Sequence, residues 1–425
     1  MKKMLMLGTS YGSILMLEYA KSRGVYTIVT DYSEPEHSLG KQISDEYWMI
    51  NTGDIDALEA KCREEHIDAV VCGISEFNLE VCMELCKRLG LQCYCNTEAW
   101  HYSRDKDDFK ALCRELGAPL ATDYFLSDPP TREELDKVQY PVVVKPVDLS
   151  SNRGISYVYN EEELLRAIDY ALGASKSRKL VVERMLHGEE WYSFYAMAEG
   201  EVSLMGLCAM YSQPGEPKFC YSITSSISNH VEDYVREIDP HIQQVLKKVG
   251  CREGIAWVQA MLDEDGHFYI IEMGYRLDGD MMYVPFKALL GFDTVAWLVD
   301  YALGERNDPK DLPPSQTKAF KRCGSSYMLW TNKGGTIASI KGLDKIKAMP
   351  GVIVDSLAAV GDEVKAYMPL GDILFDTDDC ASTCEFIKLV NETVSIRNTD
   401  GEEMLIYYDD FDYLMKVYEE GLAGK

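Results

Sequence analysis

Residues 257–276 read WVQAMLDEDGHFYIIEMGYR. Asp265-Gly266 within this stretch is a two-residue hairpin signal, because both residue types tolerate the positive φ angles of a type I′ turn. With those two as the loop, Glu264 faces His267, Gln259 faces Glu272 and Trp257 faces Gly274. Alternation then puts Val258, Ala260, Leu262, Tyr269, Ile271 and Met273 on one apolar face that belongs to a core. The other face carries Gln259 directly opposite Glu272, Cβ atoms roughly 5 Å apart, with Arg276 two steps past Gly274. An amide oxygen, a carboxylate and a guanidinium so placed suit hard cations and the phosphates that such cations bind. An edge hairpin with solvated polar residues is the alternative at this level.

The surrounding chain limits the choice. Its 425 residues exceed one ordinary core, so two to four domains or lobes are expected. A formal charge of −27 repels nucleic acid and anionic membrane surfaces, so a polyanionic ligand needs local Lys, Arg or metal. No signal peptide or transmembrane run is read, and a cytoplasmic location is expected. The 13 cysteines include no C-x-x-C pair, so neither a zinc site nor a disulfide framework is signalled. Cys82 with Cys86, and Cys380 with Cys384, read as packed thiols.

Taken in order, the chain opens with strands at 3–8, 25–30 and 68–73 and helices at 12–23, 55–66 and 76–89, a βαβ domain with a parallel sheet over 1–98. The Gly8–Gly12 turn lacks the full G-x-G-x-x-G fingerprint, so dinucleotide binding is weakly supported. A linking helix follows over 99–120, with Ser103 as its N-cap and Lys106 in its first turn. YPVVVKP (140–146) is a strand with Lys145 at its exit, followed by the Ser/Asn/Gly loop 148–154. Residues 121–190 are expected to form a small α+β lobe and 191–317 a larger one, in which the polar segment 211–229 reads as a substrate-facing loop or an exposed connection. Residues 318–425 read as a β-rich lobe closed by a helix near 410–420.

Together, Lys106, Lys145, the 148–154 loop, the Glu183–Glu190 segment and the hairpin resemble the ATP-grasp family of carboxylate-amine ligases, of the biotin carboxylase, D-alanine:D-alanine ligase and amino-acid ligase type. The resemblance implies an α/β and α+β architecture: an N-terminal βαβ domain, a lid lobe, a main ATP-grasp lobe and a β-rich C-terminal lobe. It implies that Gln259 and Glu272 ligate magnesium, or manganese, and that Arg276 binds phosphate or stabilises the reacting group. Lys106 and Lys145 match the lysines that embrace the nucleotide phosphates, with Ser150, Ser151 and Gly154 in the lid over them. Glu183, Arg184, Met185 and Leu186 match the adenine hinge, and Glu190 the ribose-binding acid, with Glu189 its alternative. Tyr221, Gly279 and Arg276 are expected to face the substrate.

Such a site concentrates positive charge where γ-phosphoryl transfer concentrates negative charge. The activity implied is activation of a carboxylate as an acylphosphate that an amine attacks, in a protein of small-molecule substrates and a possible homodimer. A carboxylase acting on bicarbonate, a nucleotide-binding module without turnover and a nicotinamide-dependent oxidoreductase are the alternatives. The chain departs from the family pattern at Gly274, where relatives commonly carry a metal-binding Asn; Asp278 or Asp280 is the candidate replacement.

Overall fold

Runs of Met, Leu, Ile and Val open the chain as parallel strands β1 (Lys3–Leu7), β2 (Tyr26–Thr30), β3 (Glu46–Trp48) and β4 (Ala69–Cys72), in the order β3-β2-β1-β4. The computed structural model describes residues 1–9, 12–147, 154–176, 178–356 and 358–424. Met4, Leu5, Met6 and Leu7 are all buried, as a parallel strand covered on both faces requires. The helices Ser13–Ser22, Ile55–Glu65 and Glu76–Leu89 lie within a residue or so of their expected bounds. β3 was not anticipated; three residues carry no readable period.

The linking segment differs from expectation. A helix Thr97–Arg104 and a second, Lys106–Glu115, meet at Asp105, whose carboxylate accepts from the Asp107 and Asp108 amides and is the actual N-cap. Ser103 therefore lies inside the first helix, and its Oγ accepts a 3.0 Å hydrogen bond from the Tyr275 amide. That bond ties the segment to the end of the hairpin.

A four-stranded sheet in the order β5-β8-β6-β7 follows, from β5 (Asp123–Tyr124), β6 (Val142–Pro146), β7 (Ser156–Val158) and β8 (Leu180–Arg184). The helix Glu161–Ala174 covers one face, packing Leu164, Ile168 and Ala171 against Val142, Val144 and Val182. The largest sheet contains β9 (Gly188–Ala198), β10 (Glu201–Ser212), β11 (Tyr221–Ser225), β12 (Gly254–Asp263), β13 (Phe268–Gly274), β14 (Cys323–Trp330), β16 (Ile353–Ser356) and β18 (Pro369–Thr377). Its order is β13-β12-β9-β10-β11-β14-β18-β16. The remaining strands β15 (Gly335–Lys341), β17 (Glu363–Val364) and β19 (Ser395–Asn398) make a small separate sheet.

Two expectations are refined. The segment 211–229 is strand at its start and over Tyr221–Ser225, where β11 pairs with β10, and is connection over 213–220 and 226–229; the Tyr211 hydroxyl is buried and donates to Ile227 O at 2.6 Å. The β-rich region after 318 adds β14, β16 and β18 to the largest sheet and also carries a helix, Cys380–Thr393.

The largest sheet is covered on both faces. Trp191, Tyr195, Val258, Ala260, Phe268 and Ile270 pack on one side with Ile242, Val245, Ile387 and Leu414 from helices. Phe194, Ala196 and Trp257 pack on the other with Met4, Met6, Phe286 and Trp297. The N-terminal domain docks through Tyr94, whose ring meets Tyr275 edge to face at 5.5 Å and lies over Gly254. Gly254 has φ +82°, and a Cβ there would stand 2.3 Å from the Tyr94 ring. Gly254→Ala is expected to destabilise the chain by about 2–4 kcal/mol through overpacking and left-handed strain together, measured by urea unfolding; an unchanged midpoint would mean that this docking is not fixed.

Candidate active site

The hairpin keeps the expected outer register, Trp257 with Gly274, Val258 with Met273 and Gln259 with Glu272, and departs from it nearer the turn. Asp263 and His267 close the loop, with the Gly266 amide donating to Asp263 O, so Glu264, Asp265 and Gly266 (φ +79°) form a three-residue turn rather than two. A bulge between Gln259 and Ala260 absorbs the extra residue: Ala260 pairs with Ile270, and Ile271 is the inserted position. Tyr269 and Ile271 therefore leave the core face, where Phe268 and Ile270 replace them, and Ile271 lines a cleft beside Glu272.

That cleft, about 930 Å³, lies between the four-stranded sheet β5-β8-β6-β7 and the largest one. Its walls contain Lys106, Lys145, Glu183, Arg184, Met185, Leu186, Glu190, Tyr221, Gln259, Glu272, Arg276 and Gly279. These residues come from the helix Lys106–Glu115, β6, β8 and the residues just after it, β9, β11, the hairpin and the segment after it, so the fold brings together side chains far apart in sequence. Gly154 has φ +78° and precedes Ile155, which lines the cleft. Ser150 and Ser151 lie outside the described residues.

Lys106, Lys145 and Arg276 each stand against a carboxylate. Lys106 Nζ is 2.5 Å from Glu272. Lys145 pairs with Glu183, which also pairs with the buried Lys110, and Lys110 is 3.5 Å from Asp123. Arg276 lies 3.2 Å from Glu76, donates to Leu277 O at 2.8 Å and stacks over Trp257 at 5.2 Å. Burial pushes the Glu183 carboxyl up, but Lys145 and Lys110 outweigh it and hold it at about 2. Glu183 is thus the buried anchor of Lys145. Lys110 was missed although it stands one helical turn from Lys106.

The segment Arg184–His187 is held by Asp263, a second missed residue, which accepts from Arg184 Nη1 at 2.9 Å and the His187 amide at 2.6 Å. Arg184 also lies over the Tyr269 ring at 4.8 Å. The backbone amides of Arg184 and Met185 donate to Thr122 and Pro141. Of the two neighbouring acids, Glu190 lines the cleft and accepts from Gln259 Nε2 at 2.7 Å, while Glu189 accepts from the Tyr413 hydroxyl on the opposite side of the strand. Burial raises the Glu190 carboxyl; Gln259 opposes this, and Glu272 and Asp280 add to it.

Gly274 has a steric cause. A Cβ there would lie 2.2 to 2.5 Å from Cε2, Cζ2 and Nε1 of Trp257, so the indole fills the space a side chain at 274 would need. Asp278 and Asp280 also line the cleft. Asp278 accepts from the Met282 amide at 2.9 Å, and burial raises its carboxyl from an ordinary 3.8 to about 7. Asp280 accepts from Thr224 Oγ1 at 3.0 Å, and burial raises it too.

Comparison with known proteins agrees with this architecture. The L-amino acid ligase from Bacillus licheniformis superposes with a TM-score of 0.74 at 18% identity, covering 94% of this chain and 99% of that one. Biotin carboxylase from Campylobacter jejuni gives 0.75 at 17%, covering 98% and 95%. The chain has the ATP-grasp fold. Within it, residues 121–275 match the family described as D-ala D-ala ligase C-terminus. The carbamoyl phosphate synthase large chain of Thermoanaerobacter pseudethanolicus is 23% identical over 328 residues, 73% of this chain; the chain spans only 30% of that relative's length.

Two outcomes test this geometry. Gly274→Ala is expected to lower stability by about 1–3 kcal/mol, and Trp257→Ala to relieve it, giving a coupling of about 1 kcal/mol or more in a double-mutant cycle; additivity would place the indole elsewhere. For Asp278, the unfolded chain ionises the group above pH 3.8 while the folded chain holds its proton to about 7, so it subtracts stability as pH rises through that window. Asp278→Asn is therefore expected to raise the melting midpoint by several degrees at pH 8 and to leave it unchanged at pH 4.

Proposed function

We propose that this chain is an ATP-dependent ligase that activates a carboxylate as an acylphosphate for attack by an amine, giving an amide with ADP and phosphate. The observation that carries this reading is the convergence of Lys106, Lys145 and Arg276 on one cleft whose floor is Gln259 and Glu272. Each of the three is held there by a carboxylate, and the half-buried Glu272 is one that a polyphosphate can displace from Lys106. The Leu186 amide is assigned to the adenine base, since the Arg184 and Met185 amides donate to Thr122 and Pro141.

The donor set suits magnesium. An amide oxygen and a carboxylate are hard oxygen ligands, and the Lys106 ammonium against Glu272 marks a place where the fold already accepts positive charge. Gln259 and Glu272 would hold the ion; when bound, it neutralises phosphate charge. With Trp257 over Gly274, no side chain at 274 contributes a ligand.

In this reading Lys145, fixed by Glu183, and Lys106, released from Glu272, hold the nucleotide phosphates. A carboxylate oxygen attacks the γ-phosphorus and the bond to ADP breaks. Arg276 stabilises the charge that develops on the acyl group. The amine nitrogen attacks the acyl carbon, the bond to phosphate breaks and the amine proton leaves. The acidic wall of Glu190, Asp278 and Asp280 suits an incoming amine and its proton.

Glu272→Gln and Lys145→Ala are each expected to lower ATP turnover at least about a hundredfold, read as ADP release with pooled amino acids and small acids while mass spectrometry follows the condensed product. Near wild-type turnover in Glu272→Gln would remove the metal assignment, and ADP release indifferent to added carboxylate and amine would remove the ligase reading.

A further inference from the structure

The thiols of the N-terminal domain converge. Cys72 ends β4, Cys82 and Cys86 stand one turn apart on the helix Glu76–Leu89, and Cys93 lies in the segment that follows its Gly90 cap. The sulfurs of Cys82, Cys86 and Cys93 all lie within 4.8 Å of one another, with Cys82 to Cys86 at 4.0 Å. All four are free thiols; Cys72, Cys82 and Cys86 are buried and Cys93 is half-buried.

A tetrahedral ion with metal–sulfur bonds of about 2.3 Å sets its sulfurs about 3.8 Å apart, so the three thiols stand within an ångström of a coordinating arrangement. Hydrophobic packing favours burial of a thiol but does not require several to meet at one sulfur. Three sulfur donors in tetrahedral reach select zinc among common divalent ions. A multi-iron cluster holds its cysteines farther apart than this.

We propose that Cys82, Cys86 and Cys93 hold a zinc ion, its fourth position open to water. Binding exchanges three thiol protons for one Zn²⁺ and leaves three thiolates on the ion, with no change of oxidation state. The thiols of Cys82 and Cys86 give up their contacts to Val70 O, 3.4 and 4.0 Å away. Cys93 gives the ion a path from solvent. The consequence reaches the hairpin: Tyr94, next to Cys93, packs on Tyr275 and accepts from its hydroxyl at 2.9 Å, and Tyr275 precedes Arg276. The site ties the helix and that docking segment into one unit, whether or not the cleft turns over ATP.

Full-length chain from zinc-supplemented cells, purified under reducing conditions without chelator, is expected to carry about one zinc per chain by elemental mass spectrometry. Cobalt-loaded chain is expected to show thiolate-to-cobalt charge-transfer absorption and tetrahedral d–d bands. Cys82→Ser is expected to lose metal affinity at least about tenfold, and Cys251→Ser, a buried cysteine outside the cluster, to retain it. A measurement on wild-type chain guards against a variant that fails to fold: native Cys93 alkylates slowly with iodoacetamide when metal is bound and faster after chelator. Wild-type chain that takes up neither zinc nor cobalt and alkylates at one rate throughout would overturn the site. A native disulfide from Cys93 to Cys82 or Cys86 would overturn it in favour of a redox pair.

Discussion

The cleft depends on charge compensation in an acidic protein. A chain of net charge −27 still assembles lysines and an arginine at one place, and it does so by giving each a carboxylate: Glu272 for Lys106, Glu183 for Lys145, Glu76 for Arg276. These pairs differ in depth. The Glu183 pair is buried and shared with Lys110, so losing one partner strands a charge away from water. The Glu272 pair is only half-buried and exchangeable. The difference separates a fixed cation from one that a ligand can recruit.

The hairpin shows how backbone irregularity serves side-chain placement. A three-residue turn would by itself shift every outer residue by one position and turn Glu272 into the core. The bulge at Ile271 restores the register, so Gln259 and Glu272 remain opposite each other on the cleft side. Trp257 then occupies the floor beside them, which is why position 274 is glycine.

Much of this was legible in residue order. The N-terminal strands and helices followed from periodic apolar runs, and the Gln259–Glu272 pairing followed from one turn signal. The turn length did not, because Asp-Gly fits both a two-residue loop and the end of a three-residue one. The break at Asp105 was hidden by a competing cap at Ser103, and the sharing of one sheet by segments on either side of residue 318 is a tertiary choice that no local pattern encodes. Cys93 lies past the glycine cap of the helix that carries Cys82 and Cys86, so spacing alone does not suggest a cluster; the turn of the chain after that cap brings it there.

Strand β13 is the outermost strand of the largest sheet. Its free side is occupied by the linking segment: the Ile270 amide donates to Pro119 O, and the Tyr275 amide just beyond the strand donates to Ser103. An uncovered edge of this kind is a template for strand addition from another chain. The segment that presents Lys106 to the cleft therefore also shields the sheet from self-association, so detaching it to rearrange the site would expose the molecule to aggregation at the same moment.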